Sequence, residues 1–193
     1  MKITLAIPTN RGIRPKTAQC LLDLVAHGGY EFHTIVAERG FTIAENRNYV
    51  AIQAMNKNSD YLLFIDDDMT FEPDLLDRLL AHEKEIVGVA FHPRCDVPVN
   101  DSMDEVHFIK LRDATDEKYK SLFSCKAVGT GILLIKTEVL KKMPPPWFAF
   151  EYLPTGQVKV GEDWYFCNTA KAWGYEIWCD PTIKVGHIGE KIY

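Results

Sequence analysis

Tyr61-Leu62-Leu63-Phe64-Ile65 runs directly into Asp66-Asp67-Asp68. A short, continuous apolar run bounded by polar residues is the pattern of a strand buried on both faces. Three adjacent carboxylates repel one another, and a buried strand end is a costly place to hold them without a cation or hydrogen-bond donors. In open α/β sheets ligands bind beyond the carboxyl ends of the strands, which is where this triplet falls. Extended geometry carried through the triplet points Asp66 and Asp68 to one side and Asp67 to the other. Two oxygen ligands at i and i+2 suit a hard divalent ion such as Mg²⁺ or Mn²⁺. The competing reading is a solvated acidic turn leading into a helix at Pro73.

The same texture extends outward from this stretch. Ile3 to Ile7 form an apolar run ended by Pro8, and a helical pattern after Pro15 puts Cys20, Leu21, Leu24 and Val25 on one face before Gly28-Gly29. Phe32 to Ala37 read as a second strand, followed by a helix from Thr42 to Met55 with Ile43, Val50, Ala51 and Ala54 on one side. After the 61–65 strand, Pro73 opens a helix carrying Leu75, Leu76, Leu79 and Leu80, and Ile86 to Phe91 form the next strand. Strands alternating with helices specify an α/β fold whose sheet is mostly parallel. Asp96 to Lys120 is polar, with a weak strand at Val106 to Leu111, and reads as a surface excursion. Gly131 to Ile135 returns to the core, and Pro144-Pro145-Pro146 cannot be helix interior. A helix from Gly161 to Trp173 ends at Gly174, and short strands at Glu176 to Cys179 and Thr182 to Val185 finish the chain.

Several function classes drop out on composition. The 193 residues carry 22 basic and 27 acidic side chains, a net charge of −5, and no basic cluster longer than a pair. That disfavours a duplex nucleic-acid binder acting through phosphates. The opening MKITLAIPTNRG is too short and too early broken for a signal peptide, and no stretch approaches the ~20 apolar residues that span a bilayer. A cytoplasmic protein is the expectation. Five cysteines without a CxxC pair argue against a zinc site or a disulfide framework.

Two further clusters carry chemistry. Gly161-Glu162-Asp163-Trp164 sets two carboxylates in the first turn of a helix, where the macrodipole alone is a sufficient structural reason for them. All four tryptophans lie between Trp147 and Trp178, and Trp147 and Trp164 offer flat faces on which a sugar ring stacks while a carboxylate takes a hydroxyl proton. Trp173 and Trp178 are expected in the core. His187, between glycines near the carboxyl terminus, is either locally satisfied or free to approach a ligand; imidazole with carboxylates favours Mn²⁺ over Mg²⁺.

In order, AIPTNRG, IVAERG, AENRN, FIDDDMTFEPDLL, VGTGILLIKTEVL, VGEDWYFC and VGHIG resemble a GT-A fold nucleotide-sugar glycosyltransferase of the family 2-like kind. The resemblance spans most of the chain and leaves Asp96 to Lys120 unexplained. It implies a single domain over residues 1–193, a Rossmann-like three-layer α/β/α sandwich. Residues 1–92 would form the nucleotide-binding half and 93–193 the half that completes the acceptor and metal sites. It also implies that Thr9, Arg11 and Glu38 line a nucleoside pocket, with UDP-sugar the favoured donor although glutamate replaces the usual aspartate at position 38. Arg47 would lie near the base and diphosphate, and Asp66 would face the ribose beside Asp67. Asp68 and His187 would hold Mn²⁺ or Mg²⁺, with Asp66 a possible further ligand. Gly129-Thr130-Gly131 would let the donor sugar pass close to the backbone, Asp163 would be the general base of an inverting enzyme, and Glu162 would orient acceptor or base. The acceptor would be a carbohydrate or another molecule bearing a hydroxyl.

Two other classes stay open at this level. FIDDDMT also fits the D-x-D-x-T motif of haloacid-dehalogenase-like phosphatases, with Asp66 as nucleophile, Asp68 as acid/base and Thr70 on phosphate. That family carries the motif on its opening strand, whereas about 60 residues of α/β pattern precede it here. A non-catalytic nucleotide-sugar binding module is the third reading.

Overall fold

The computed structural model describes residues 1–37, 42–91 and 120–189. Glu38, Cys95 and the expected strand Val106 to Leu111 lie outside the described residues.

In chain order the elements are β1 (Lys2–Pro8), α1 (Pro15–His27), β2 (Glu31–Ala37), α2 (Ile43–Asn56), β3 (Tyr61–Ile65), β4 (Met69–Phe71), α3 (Leu75–Ala81) and β5 (Ile86–Val89). They continue with β6 (Phe123–Cys125), β7 (Ile132–Lys136), α4 (Thr137–Lys142), β8 (Glu151–Tyr152), β9 (Val158–Val160), α5 (Glu162–Ala172), β10 (Ile177–Asp180) and β11 (Val185–His187). The central sheet runs β2-β1-β3-β7-β5-β10-β6. β1, β2, β3, β5 and β10 share one direction, while β7 and β6 run against it.

Period-two alternation distributes each strand between two cores, as the pleat requires. Ala6, Leu62, Phe64, Leu133 and Ile135 face a cluster completed by α2, α4 and α5. Ile3, Leu5, Ile7, Leu63, Ile65 and Leu134 face the other, completed by α1 and α3. These are the three layers of an α/β/α sandwich. A capping box starts α2: the Thr42 hydroxyl accepts from the Glu45 amide while the Glu45 carboxylate accepts from the Thr42 amide.

Several expectations need correction. The sheet is mostly parallel, as expected, with β7 antiparallel between β3 and β5, a placement that strand periodicity does not encode. The last strand is Val185–His187 and not Thr182 to Val185, because hydrogen bonds to Asp180 hold Thr182 in a turn. On α1, Thr17 is buried with Leu21 and Leu24, while Val25 is exposed. Trp173 is exposed at the end of α5, whereas Trp178 packs partly buried against the core, as expected, with the Lys84 ammonium over its ring. No described helix is long and apolar enough to cross a membrane.

Candidate functional site

β1 and β3 are neighbouring parallel strands, so their carboxyl ends open side by side. A cleft of about 360 Å³ lies there, lined by the loop from Pro8 to Gly12, by Arg14, Ile43 and Arg47, by Asp66, Asp67 and Asp68, and by Glu162.

The acidic triplet does not continue the strand. β3 stops at Ile65, and the Met69 amide donates to the Asp66 carbonyl at 3.2 Å, closing a turn over the three aspartates. The alternating orientation expected of extended chain is replaced by three carboxylates on one cleft, each with its own partner. Mutual repulsion is relieved one residue at a time. Asp66 Oδ1 accepts from the Arg47 guanidinium at 2.9 Å, and Asp67 Oδ2 accepts from the Thr9 hydroxyl. Asp68 Oδ1 lies 3.3 Å from His187 Nε2.

Each partner comes from a different part of the chain. Thr9 follows β1, and its hydroxyl also accepts from the amides of Arg11 and Gly12, which folds the 9–12 loop over the cleft. Arg14 joins the loop to the triplet through its amide, which donates to the Asp67 carbonyl at 2.8 Å. Arg47 is buried on α2 and forks between Asp66 and the Glu162 carboxylate at the start of α5. Its charge is therefore shared by two carboxylates.

His187 arrives through β11, which pairs antiparallel with β4 in the register His187↔Met69 and Gly186↔Thr70. The Ile188 amide donates to the Asp68 carbonyl at 2.9 Å. A Cβ at Gly186 would stand 2.4 Å from the Thr70 hydroxyl, so any larger residue there requires the Thr70 side chain to shift. The Phe91 ring meets the His187 imidazole edge-on, with centroids 5.5 Å apart.

The Asp68 and His187 donors fit a divalent cation. Ligand distances of roughly 2.1 Å place neighbouring donors about 3 Å apart on one ion, close to the spacing found. No group of three or more metal-ligating side chains converges among the described residues. A cation held here would draw its remaining oxygens from substrate phosphate and water, as Mg²⁺-type ions do.

Other expected residues stand elsewhere. Asp163 lies beside Glu162 in the first turn of α5 but outside the cleft lining, and its Oδ1 accepts from the Trp164 amide at 2.7 Å. Gly129, Thr130 and Gly131 do not line the cleft. A Cβ at Gly129 or Gly131 would meet the Phe91 ring at 2.8 or 2.7 Å, so this protein's own side chain occupies the space their missing Cβ leaves. The Gly131 carbonyl instead accepts from the Asp66 amide at 2.8 Å.

Trp147 requires a correction. It is 3% exposed, and its indole N–H donates to the carbonyls of Leu140 and Met143. The indole needs both an apolar pocket and a partner for its N–H, and the end of α4 supplies both; no face is left for a sugar. Trp164 is half-buried against the core.

The sequence reading missed Asn10 and Arg14 in the cleft, and Asn48 behind it. Asn48 donates to the carbonyls of Ala44 and Phe148 and accepts from the amides of Trp147 and Phe148. The AENRN motif was the available signal. Three consecutive polar residues on a helix that packs on the sheet must each find a partner. Asn46 reaches Asn10, Arg47 reaches Asp66 and Glu162, and Asn48 braces the 147–148 segment. The described cysteines are free, and burial pushes the Cys125 and Cys167 thiols up to about 12, which leaves them inert packing groups.

No protein-family model and no curated protein matches the chain. Among solved structures it is similar to A197 from STIV, with a TM-score of 0.63 and 20% identity over 98% of this chain and 87% of that one. It is also similar to GalNAc-T7, solved with UDP, GalNAc and Mn²⁺, with a TM-score of 0.54 and 13% identity. That match covers 97% of this chain and 44% of GalNAc-T7, so the chain spans less than half of that protein's length. A glycosyltransferase involved in glycosylation of the major capsid of PBCV-1 matches with a TM-score of 0.45 and 14% identity over 98% and 94% of the two chains. At such identities the likeness is one of fold, and the fold is glycosyltransferase-like.

Proposed function

We propose that the chain is a metal-dependent glycosyltransferase that moves a sugar, a hexose by expectation, from a nucleotide-diphosphate sugar to an acceptor hydroxyl, with a UDP-sugar the favoured donor. One observation carries the reading. In a glycosyltransferase-like fold, the Asp66-Asp67-Asp68 turn sits at a strand end with His187 brought against Asp68. A structural acidic turn does not need a histidine delivered from the far end of the chain by a separate strand pair.

In this reading Asp68 and His187 hold Mn²⁺ or Mg²⁺. When bound, the cation neutralises the diphosphate and stabilises it as a leaving group. Thr9 and Arg11 form the nucleoside wall, a role that the sequence resemblance also gives to Glu38, and Asp66 and Asp67 face the ribose side. The acceptor hydroxyl oxygen forms the new bond to the anomeric carbon, the bond to the diphosphate oxygen breaks with its electron pair, and Asp163 takes the hydroxyl proton. Glu162, held by Arg47, orients the acceptor and leaves the base role to Asp163. Trp164 remains the acceptor platform. Residues 1–92 supply the nucleotide side and 93–193 complete it, in a cytoplasmic setting that keeps the thiols reduced.

A screen of UDP-, GDP- and dTDP-sugars for Mn²⁺-dependent binding and hydrolysis tests the proposal. Binding and slow hydrolysis of a UDP-sugar, abolished by EDTA, are expected. No response to any nucleotide sugar, with or without metal, overturns it.

A further inference from the structure

A second polar cluster lies away from the cleft, between α3 and the turn after β10. Asp180 closes β10 and is 2% exposed. Its Oδ1 accepts from the Thr182 amide at 2.7 Å and the Thr182 hydroxyl at 2.6 Å, while Oδ2 lies 2.8 Å from His82 Nε2. The Thr182 oxygen in turn accepts from the Arg78 guanidinium at 2.8 Å. Arg78 and His82 occupy the last turn and C-cap of α3. The chain of bonds therefore ties one helix end to one turn, and none of its four residues lines the cleft.

Beyond this turn the chain leads straight to His187. Ile183 is 4% exposed among the leucines of α3, and β11 starts two residues later and ends on His187. Among the described strands β11 pairs with β4 alone, over three residues. Two-stranded pairings are marginal on their own, so a ribbon this short depends on anchoring outside itself.

We propose that Arg78, His82, Asp180 and Thr182 form a latch that sets the position of His187, making them positioning residues for the metal site without touching the metal. The inference rests on Asp68 and His187 being metal ligands. Losing a group hydrogen-bonded directly to a metal ligand typically costs 10–100-fold in metal affinity; the latch acts on His187 through the intervening chain, so the lower end of that range is expected.

The test uses the full chain and two readouts. Hydrogen–deuterium exchange of residues 181–189 is measured without metal, and Mn²⁺ binding is measured by the EPR signal of the free ion. T182V removes the hydroxyl that joins Arg78 to Asp180, and H82L removes the imidazole. T182S and H82Q keep a hydrogen-bonding group at each position. Exchange in 181–189 should rise about 10-fold in T182V and H82L while residues 2–8 of β1 stay protected, and Mn²⁺ affinity should fall about 10-fold in both. T182S and H82Q should stay within about 3-fold of the native protein for both measurements. Unchanged exchange in T182V and H82L overturns the latch. Raised exchange with native Mn²⁺ affinity overturns its coupling to the metal. Failure of the native protein to bind Mn²⁺, with exchange still raised in the variants, removes the metal reading and leaves the latch a structural clasp.

Discussion

Replacing Arg47 by methionine keeps most of the side-chain volume and deletes the charge between Asp66 and Glu162. Arg47 is 3% exposed, against 25% and 15% for its two partners. Removal leaves two partly buried carboxylates on the cleft wall without the charge they share. Breaking a buried ion pair costs about 3–5 kcal/mol, and the partial access of water to both carboxylates places this case near the lower end, about 3 kcal/mol. In a domain of this size each kcal/mol is worth about 2–4 °C in Tm, so a loss of roughly 6–12 °C is expected. Urea denaturation followed by tryptophan fluorescence, checked by calorimetry, measures it. A double-mutant cycle isolates the pair. E162Q should destabilise the native protein yet be neutral or stabilising in the R47M background, where it removes a repelling charge, giving a coupling of about 1–3 kcal/mol. R47M within about 1 kcal/mol of the native protein, or E162Q costing the same in both backgrounds, refutes the brace.

D163N should leave nucleotide-sugar affinity unchanged and lower kcat by about 10²–10⁴-fold, the range of a lost general base; transfer at the native rate in steady-state kinetics removes Asp163 from that role. Phe148 is fully buried, stacked on Phe166 at 4.9 Å and edge-on to Phe64 at 5.4 Å. F148A should cost about 3–5 kcal/mol in urea denaturation, and a loss below about 1 kcal/mol would mean that the site collapses freely. For Asp180, burial pushes the carboxyl up, but the Thr182 hydroxyl and amide and the His82 imidazole outweigh it, and the net value lies below the ordinary 3.8. A depressed native value contributes stability that is full above the ordinary carboxylate range and lost as pH falls through the native one. The stability gap between the native protein and D180N should therefore narrow as pH falls below about pH 4; a gap that does not change between pH 4 and pH 2 contradicts the assignment.

Local pattern was enough for the elements that make their own case. Tyr61–Ile65 is a strand as its five apolar residues indicate, and α2 begins one residue after Thr42, the start expected for it. α5 runs from Glu162 to Ala172 within the expected helix. Short elements were less legible. β4, β6, β8 and β9 are two or three residues long, too short for periodicity to register, and they exist through their pairings. The tryptophans divided against expectation because size alone does not set burial. Trp147 goes inside where two carbonyls meet its N–H, and Trp173 stays outside at a helix end.

The sequence by itself determined an α/β chain with an acidic triplet at the carboxyl end of a buried strand, because hydrophobic period and charge crowding are properties of neighbouring residues. Only the tertiary structure decided that the triplet turns instead of extending, that Arg47 serves two carboxylates, and that His187 reaches Asp68. Those outcomes depend on β1, α2, α5 and β11 arriving at one point. Contacts between segments far apart in the chain are set by the packing of the two cores and the pairing of short strands, neither of which leaves a periodic trace along the chain.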